Sequence, residues 1–130
     1  MVNILLVSHS VEIAEGTKEL AEQMKQGEVE IAAVGGTEAG ELGTNPDAIK
    51  SAVNEIDKSD GLIILADLGS AVMSVNMVLD WLDDEVRAKI QLADAPFVEG
   101  AVIAAVESGM GNSMEEILSS IESAEIIKKN

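Results

Sequence analysis

The stretch Val2-Asn3-Ile4-Leu5-Leu6-Val7-Ser8-His9-Ser10 decides how the rest of the chain is read. Four consecutive aliphatic residues, Ile4 to Val7, suit a strand covered on both faces, as in a parallel sheet with helices above and below. The run ends abruptly in a polar triplet that carries the single histidine of the sequence. Ligands of open parallel sheets collect beyond the carboxyl ends of the strands, where strand order reverses, and the first strand commonly borders that crevice. His9 therefore stands where such folds do chemistry, or it merely closes a strand and bonds to a nearby carbonyl. The neighbouring segments have to decide between the two.

Outward from this stretch the same strand-then-helix pattern repeats. Val29 to Val34 reads as a second strand, Gly61 to Ala66 as the clearest buried strand, and Ile90 to Ala93 as a modest fourth. Ser10 is placed to cap a first helix with Ile13, Thr17, Leu20, Ala21 and Met24 facing inward and Glu12, Glu15, Glu19 and Glu22 facing water. A long loop holding Gly35, Gly36, Gly40 and Gly43 leads to Thr44, then to Asn45 as an N-cap and Pro46 at the first helical position. Ile49, Ala52, Val53 and Ile56 give the second helix its apolar stripe. Asp67-Leu68-Gly69-Ser70 precedes a third helix marked by Val72, Val75, Met77, Val78 and Leu82. Asp83-Asp84-Glu85 reads as a solvated turn. Beyond the break at Pro96, Val98 to Val106 is an Ala- and Val-rich helix suited to close packing, stopped by Gly109 and Gly111. Ser113 with Glu116 forms a capping box for the last helix. Ala124 to Asn130, with Ile126-Ile127, reads either as an edge strand or interface seal or as a frayed tail. The alternation defines an α/β fold: one domain over residues 1–130, a doubly wound, mainly parallel sheet in the flavodoxin-like order 2-1-3-4, with helices on both faces.

Composition narrows the function. One Trp, one Phe and no Tyr leave the core to aliphatic residues and offer little for a flavin or a base to stack on. Twenty-four acidic against eight basic residues, a net charge of -16, repel nucleic acid and anionic membranes; the charge favours basic protein surfaces or simply keeps the chain soluble. With no cysteine and one histidine, neither a disulfide framework nor the usual kind of zinc site is expected, and no metal or other cofactor is assigned. Apolar runs are strand-sized and the amino terminus lacks a cleavable signal, so a cytoplasmic location is expected.

In the order 2-1-3-4 the first and third strands are neighbours, so Asp67 and His9 meet at adjacent strand ends. Asp67 reads alternatively as an N-cap of the third helix, a role weakened by the intervening Gly69 and Ser70. A carboxylate holding one ring N–H fixes the imidazole tautomer and leaves the other nitrogen as a nucleophile toward phosphorus. The resulting phosphoryl dianion needs donors, and helix amino termini supply them without fixed cations. Ser10, Gly43, Thr44, Gly69 and Ser70 are the candidates, although loop glycines also serve unusual backbone dihedrals. Neither a Gly/Lys phosphate loop nor a Gly-x-Ser-x-Gly elbow is present.

Ser8-His9-Ser10, Gly43-Thr44, Asp67-Leu68-Gly69-Ser70-Ala71 and Ala95-Pro96-Phe97-Val98-Glu99-Gly100-Ala101 together resemble the DhaM-type phosphocarrier subunits of phosphoenolpyruvate-dependent dihydroxyacetone kinase. The resemblance spans nearly the whole chain. It extends more distantly to mannose-type enzyme IIA domains of the sugar phosphotransferase system, where Gly-Gly-Ser-Pro usually follows the aspartate in place of Gly69-Ser70-Ala71. It implies that His9 takes a phosphoryl group on Nε2 from phospho-HPr, with Asp67 on the Nδ1 side. His9 then passes the group to ADP held by a DhaL-type kinase subunit, and a DhaK-type subunit presents dihydroxyacetone. It also implies a homodimer and, because the chain is too short for fused HPr-like or enzyme I-like domains, a separate HPr. The short tail speaks against a dimer made by exchanging long carboxyl-terminal strands. The alternatives are an enzyme IIA domain of a mannose-type sugar transporter, a non-catalytic flavodoxin-like binding module, and a receiver domain phosphorylated on Asp67. The receiver reading suffers because Ser8 and His9 stand where magnesium-binding acids would end the first strand.

Overall fold

The computed structural model describes residues 1–123, so the expectation for Ala124 to Asn130 lies outside the described residues. Four parallel strands, β1 (Asn3–Ser8), β2 (Ile31–Gly35), β3 (Leu62–Ala66) and β4 (Ile90–Leu92), form one sheet in the order β2-β1-β3-β4. This is the expected 2-1-3-4 arrangement. Leu5 lies opposite Ala32 on one side and Ile64 on the other, and Val7 lies opposite Val34 and Ala66. That register brings the carboxyl ends of β1 and β3 level.

The helices are α1 (Val11–Met24), α2 (Pro46–Glu55), α3 (Gly69–Asp80), α4 (Asp84–Arg87), α5 (Phe97–Gly109) and α6 (Met114–Glu122). Every residue of β1 is buried, and its alternate side chains enter two different cores. Ile4 and Leu6 join Ile63, Leu65 and residues of α1, α5 and α6 on one face. Leu5 and Val7 join Ile64 and residues of α2 and α3 on the other. Each fully buried aliphatic side chain of β1 contributes about 1.5–3 kcal/mol of burial, so the strand that carries His9 belongs to the most firmly held part of the molecule. Asn3, the buried polar residue that opens β1, donates from Nδ2 to the Asp57 carbonyl at 2.9 Å and accepts from the Glu30 amide at 2.8 Å.

The predicted caps at Ser10, Asn45 and Ser113 form, the last as a reciprocal box with Glu116. Four readings are corrected. The buried face of α1 is Ala14, Thr17 and Ala21, while Ile13, Leu20 and Met24 are about half exposed. Helix α1 packs on α5, whose buried residues are Gly100, Ala101, Ala104, Ala105 and Ser108. Two helices that approach over small residues select the small stripe and rotate the larger one, one position (~100°) away, into solvent. Met77 is likewise exposed, and Leu79 takes the core position on α3. Asp83-Asp84-Glu85 is the start of α4 rather than a turn, with acidic residues at the positive end of its dipole. Gly69 and Ser70 do not separate Asp67 from the helix, because they are its first two residues.

Candidate active site

The site lies at the level carboxyl ends of β1 and β3. His9 follows β1 directly, and its backbone is held from both sides: its amide donates to Asp67 Oδ2 at 3.2 Å, and its carbonyl accepts from the Gly43 amide at 2.9 Å. His9 Nδ1 faces Asp67 Oδ1 at 3.1 Å, and Nε2 lies against the hydroxyl of Ser70. An ionised Asp67 can only accept, which favours the ring proton on Nδ1 and leaves Nε2 to accept from Ser70. The imidazole is 22% exposed and the carboxylate 12%, so the ring edge reaches solvent while its orienting partner is largely covered.

Asp67 receives four donors. The Ser8 hydroxyl (2.7 Å) and the His9 amide meet Oδ2, and the Leu68 amide (2.8 Å) and His9 Nδ1 meet Oδ1. Burial opposes ionisation of this carboxyl, but the hydrogen bonds from Ser8, His9 and Leu68 outweigh it and hold the group below the usual carboxylate range. Asp67 is therefore not a helix cap. Leu68 occupies the cap position of α3, and no side chain caps that end. The first-turn amides of Gly69, Ser70 and Ala71 have no intrahelical partner, which makes this amino terminus a ready anion site beside Nε2.

The remaining candidates take other places. Ser10 caps α1 by accepting from the Ile13 amide at 3.3 Å, and its own amide donates to Ser8 Oγ at 3.0 Å. Gly43 spends its amide on the His9 carbonyl, so in this arrangement it fixes the backbone of His9. Thr44 Oγ1 pairs with Ser74 Oγ at 2.6 Å, tying the loop after β2 to α3 one turn beyond Ser70. No local sequence pattern singles out Ser74, although its spacing of four from Ser70 puts both on one helical face. The sequence signal for Ser8 is a polar residue closing an apolar strand. Among the described residues no cluster of three or more His, Asp or Glu side chains forms a metal site. No helix among them is long and apolar enough to cross a membrane.

An imidazole at the end of β1 thus faces a carboxylate at the end of β3. Residues 3–118 match the EIIA-man family, described as PTS system fructose IIA component, and the chain belongs to that family. Within it, the chain groups with the DhaM type. PEP-dependent dihydroxyacetone kinase 2, phosphoryl donor subunit DhaM, of Listeria innocua is 42% identical over 118 residues, which cover 91% of this chain and 94% of the relative. PTS-dependent dihydroxyacetone kinase, phosphotransferase subunit DhaM, of Lactococcus lactis is 35% identical, with 92% of each chain covered. The Escherichia coli relative, PEP-dependent dihydroxyacetone kinase phosphoryl donor subunit DhaM, is 33% identical over 91% of this chain, but the match spans only 26% of that longer protein. A crystal structure described as that of unknown function protein EF1359 superposes with a TM-score of 0.90 at 40% identity, covering 99% of this chain and 98% of that one.

Proposed function

We propose that this chain is a cytoplasmic phosphohistidine carrier, the phosphotransferase component of a phosphoenolpyruvate-dependent dihydroxyacetone kinase. The observation that carries the reading is the ring of His9, with Nδ1 on Asp67 and Nε2 turned toward the uncapped amino terminus of α3. In the first half-reaction the Nε2 lone pair attacks the phosphorus of phospho-HPr. A new N–P bond forms as the bond to the donor histidine breaks. The proton stays on Nδ1, and the positive charge that develops on the ring is met by Asp67. Ser70 turns its hydroxyl from Nε2 to a phosphoryl oxygen, joined by the first-turn amides of α3. In the second half-reaction a phosphate oxygen of ADP, bound on a DhaL-type kinase subunit, attacks the same phosphorus and His9 leaves as the neutral imidazole. ATP so formed serves transfer to dihydroxyacetone on a DhaK-type subunit. The carrier works as a homodimer and meets both partners by docking, since its acidic surface repels free nucleotide.

Two features of the relatives support the acceptor assignment: their names place them in dihydroxyacetone kinases, and two of them match this chain over nearly their whole lengths. The test is discharge of the phosphorylated protein. Mixed with the kinase subunits carrying ADP, it is expected to lose its label and yield dihydroxyacetone phosphate when all subunits are present. Discharge only to a mannose-type enzyme IIB would assign it to sugar transport instead.

A further inference from the structure

We infer that Ser8 is a positioning residue for His9: its buried hydroxyl locks Asp67 as an acceptor on both oxygens and thereby keeps the proton of the neutral imidazole on Nδ1. Ser8 is completely buried. Its oxygen accepts from the Ser10 amide at 3.0 Å, so the hydroxyl proton is directed to Asp67 Oδ2 at 2.7 Å. The other groups on that carboxylate are the amides of His9 and Leu68, which can only donate, and the imidazole. A proton placed on Asp67 would therefore displace a donor everywhere except toward His9 Nδ1. With a single proton on the pair, two arrangements are open: ionised Asp67 facing Nδ1–H, or ionised Asp67 facing a bare Nδ1 with the ring proton on Nε2, donated to Ser70. Only the first leaves a lone pair on Nε2. By donating to Oδ2, the Ser8 hydroxyl keeps Asp67 ionised and its Oδ1 aimed at Nδ1, where a bare ring nitrogen would meet a carboxylate oxygen with no proton between them, so it weights the balance toward the first. It also anchors Asp67 to the capping turn of α1, since the Ser10 amide fixes the direction in which Ser8 donates.

The catalytic consequence rests on the phosphocarrier reading, but the tautomer does not, and the two are measured separately. Proton–nitrogen correlation spectra of the protein labelled at its single histidine report which ring nitrogen carries the proton in the neutral form. The native protein is expected to show only Nδ1–H; a native Nε2–H signal overturns the proposal without any variant. Ser8→Ala is expected to show a resolved Nε2–H population, and Ser8→Thr, which keeps the hydroxyl, to return to Nδ1–H. In steady-state phosphorylation by phospho-HPr, Ser8→Ala should lose ~10-fold in kcat with KM for the donor unchanged, because the ring and not the docking surface is altered. A folded Ser8→Ala protein with pure Nδ1–H and an unchanged kcat contradicts the role of Ser8. Failure of the native protein to accept phosphate contradicts the phosphocarrier reading instead and leaves the tautomer result to decide Ser8.

Discussion

Two strand-to-helix junctions meet at the site and are finished in opposite ways. At the end of β1 the chain passes through His9 to Ser10, whose side chain caps α1, while Ser10's own amide is taken up by Ser8. At the end of β3 the chain passes through Asp67 to Leu68, and α3 begins with no side-chain cap. Asp67 is as good a capping residue as Ser10, yet it turns back toward β1 and accepts from Ser8 and His9. The capped junction holds the backbone that carries His9. The uncapped one keeps its amides available for an anion, at a cost of about 1 kcal/mol of helix stability that a cap would have supplied. On the proposed function, these free amides are what would receive a phosphoryl group in a strongly acidic protein.

The comparison breaks most completely at His9. His9→Ala should abolish labelling by phospho-HPr while circular dichroism and the thermal midpoint stay near native, because the ring is a strand-end group outside both cores. Next comes Asp67→Asn, expected to slow phosphoryl uptake at least ~10-fold, since the amide that replaces one oxygen confronts donors and weakens tautomer control. The same substitution has a signed effect on acid stability. The folded carboxyl is held below its usual range, so its contribution is present above the unfolded carboxyl's pKa and disappears as pH falls through the folded one. Native and Asp67→Asn proteins should therefore differ most in denaturant midpoint at neutral pH and converge in acid. A constant difference across that range would mean the loss is one of packing.

Gly35→Ala tests how rigidly the β1 junction is held. A Cβ there would lie 2.5 Å from the Ser10 carbonyl oxygen and 2.9 Å from Val11 Cα, and neither is a flexible side chain. The expected cost is ~1–3 kcal/mol in denaturant unfolding, with reduced labelling because Ser10 and His9 must shift together. Ser70→Ala and Thr44→Val are expected to slow uptake by less than Asp67→Asn, since the α3 amides remain; a larger loss from either would move the main phosphate contact to a side chain. Smallest of all, Ser10→Ala should cost ~1 kcal/mol of stability and leave labelling close to native, as fits a cap rather than a phosphate ligand.

Much of this was readable from residue order. Aliphatic runs gave the strands, Ser10, Asn45 and the Ser113–Glu116 box gave three helix starts, and the alternation of elements gave the sheet order that sets His9 beside Asp67. The inward face of α1 was not, because hydrophobicity favours Ile13, Leu20 and Met24, whereas close approach to α5 selects Ala14, Thr17 and Ala21. The partners of Ser8 and Ser74 were also hidden. A hydroxyl bonds to whatever the fold brings near, so neither Ser8 to Asp67 nor Ser74 to Thr44 follows from local pattern. Gly43 was legible as a backbone donor but not in its acceptor, the His9 carbonyl.

On the proposed function, phosphate rides on Nε2 of His9, opposite the nitrogen held by Asp67. The direct measurement is incubation with phosphoenolpyruvate, enzyme I and HPr, followed by phosphorus and nitrogen magnetic resonance of the intact labelled protein. A base-stable, acid-labile phosphoryl group coupled to Nε2 of His9, with the proton still on Nδ1, is the expected result. A phosphoryl group on Nδ1, or a base-labile acyl phosphate on Asp67, would contradict it.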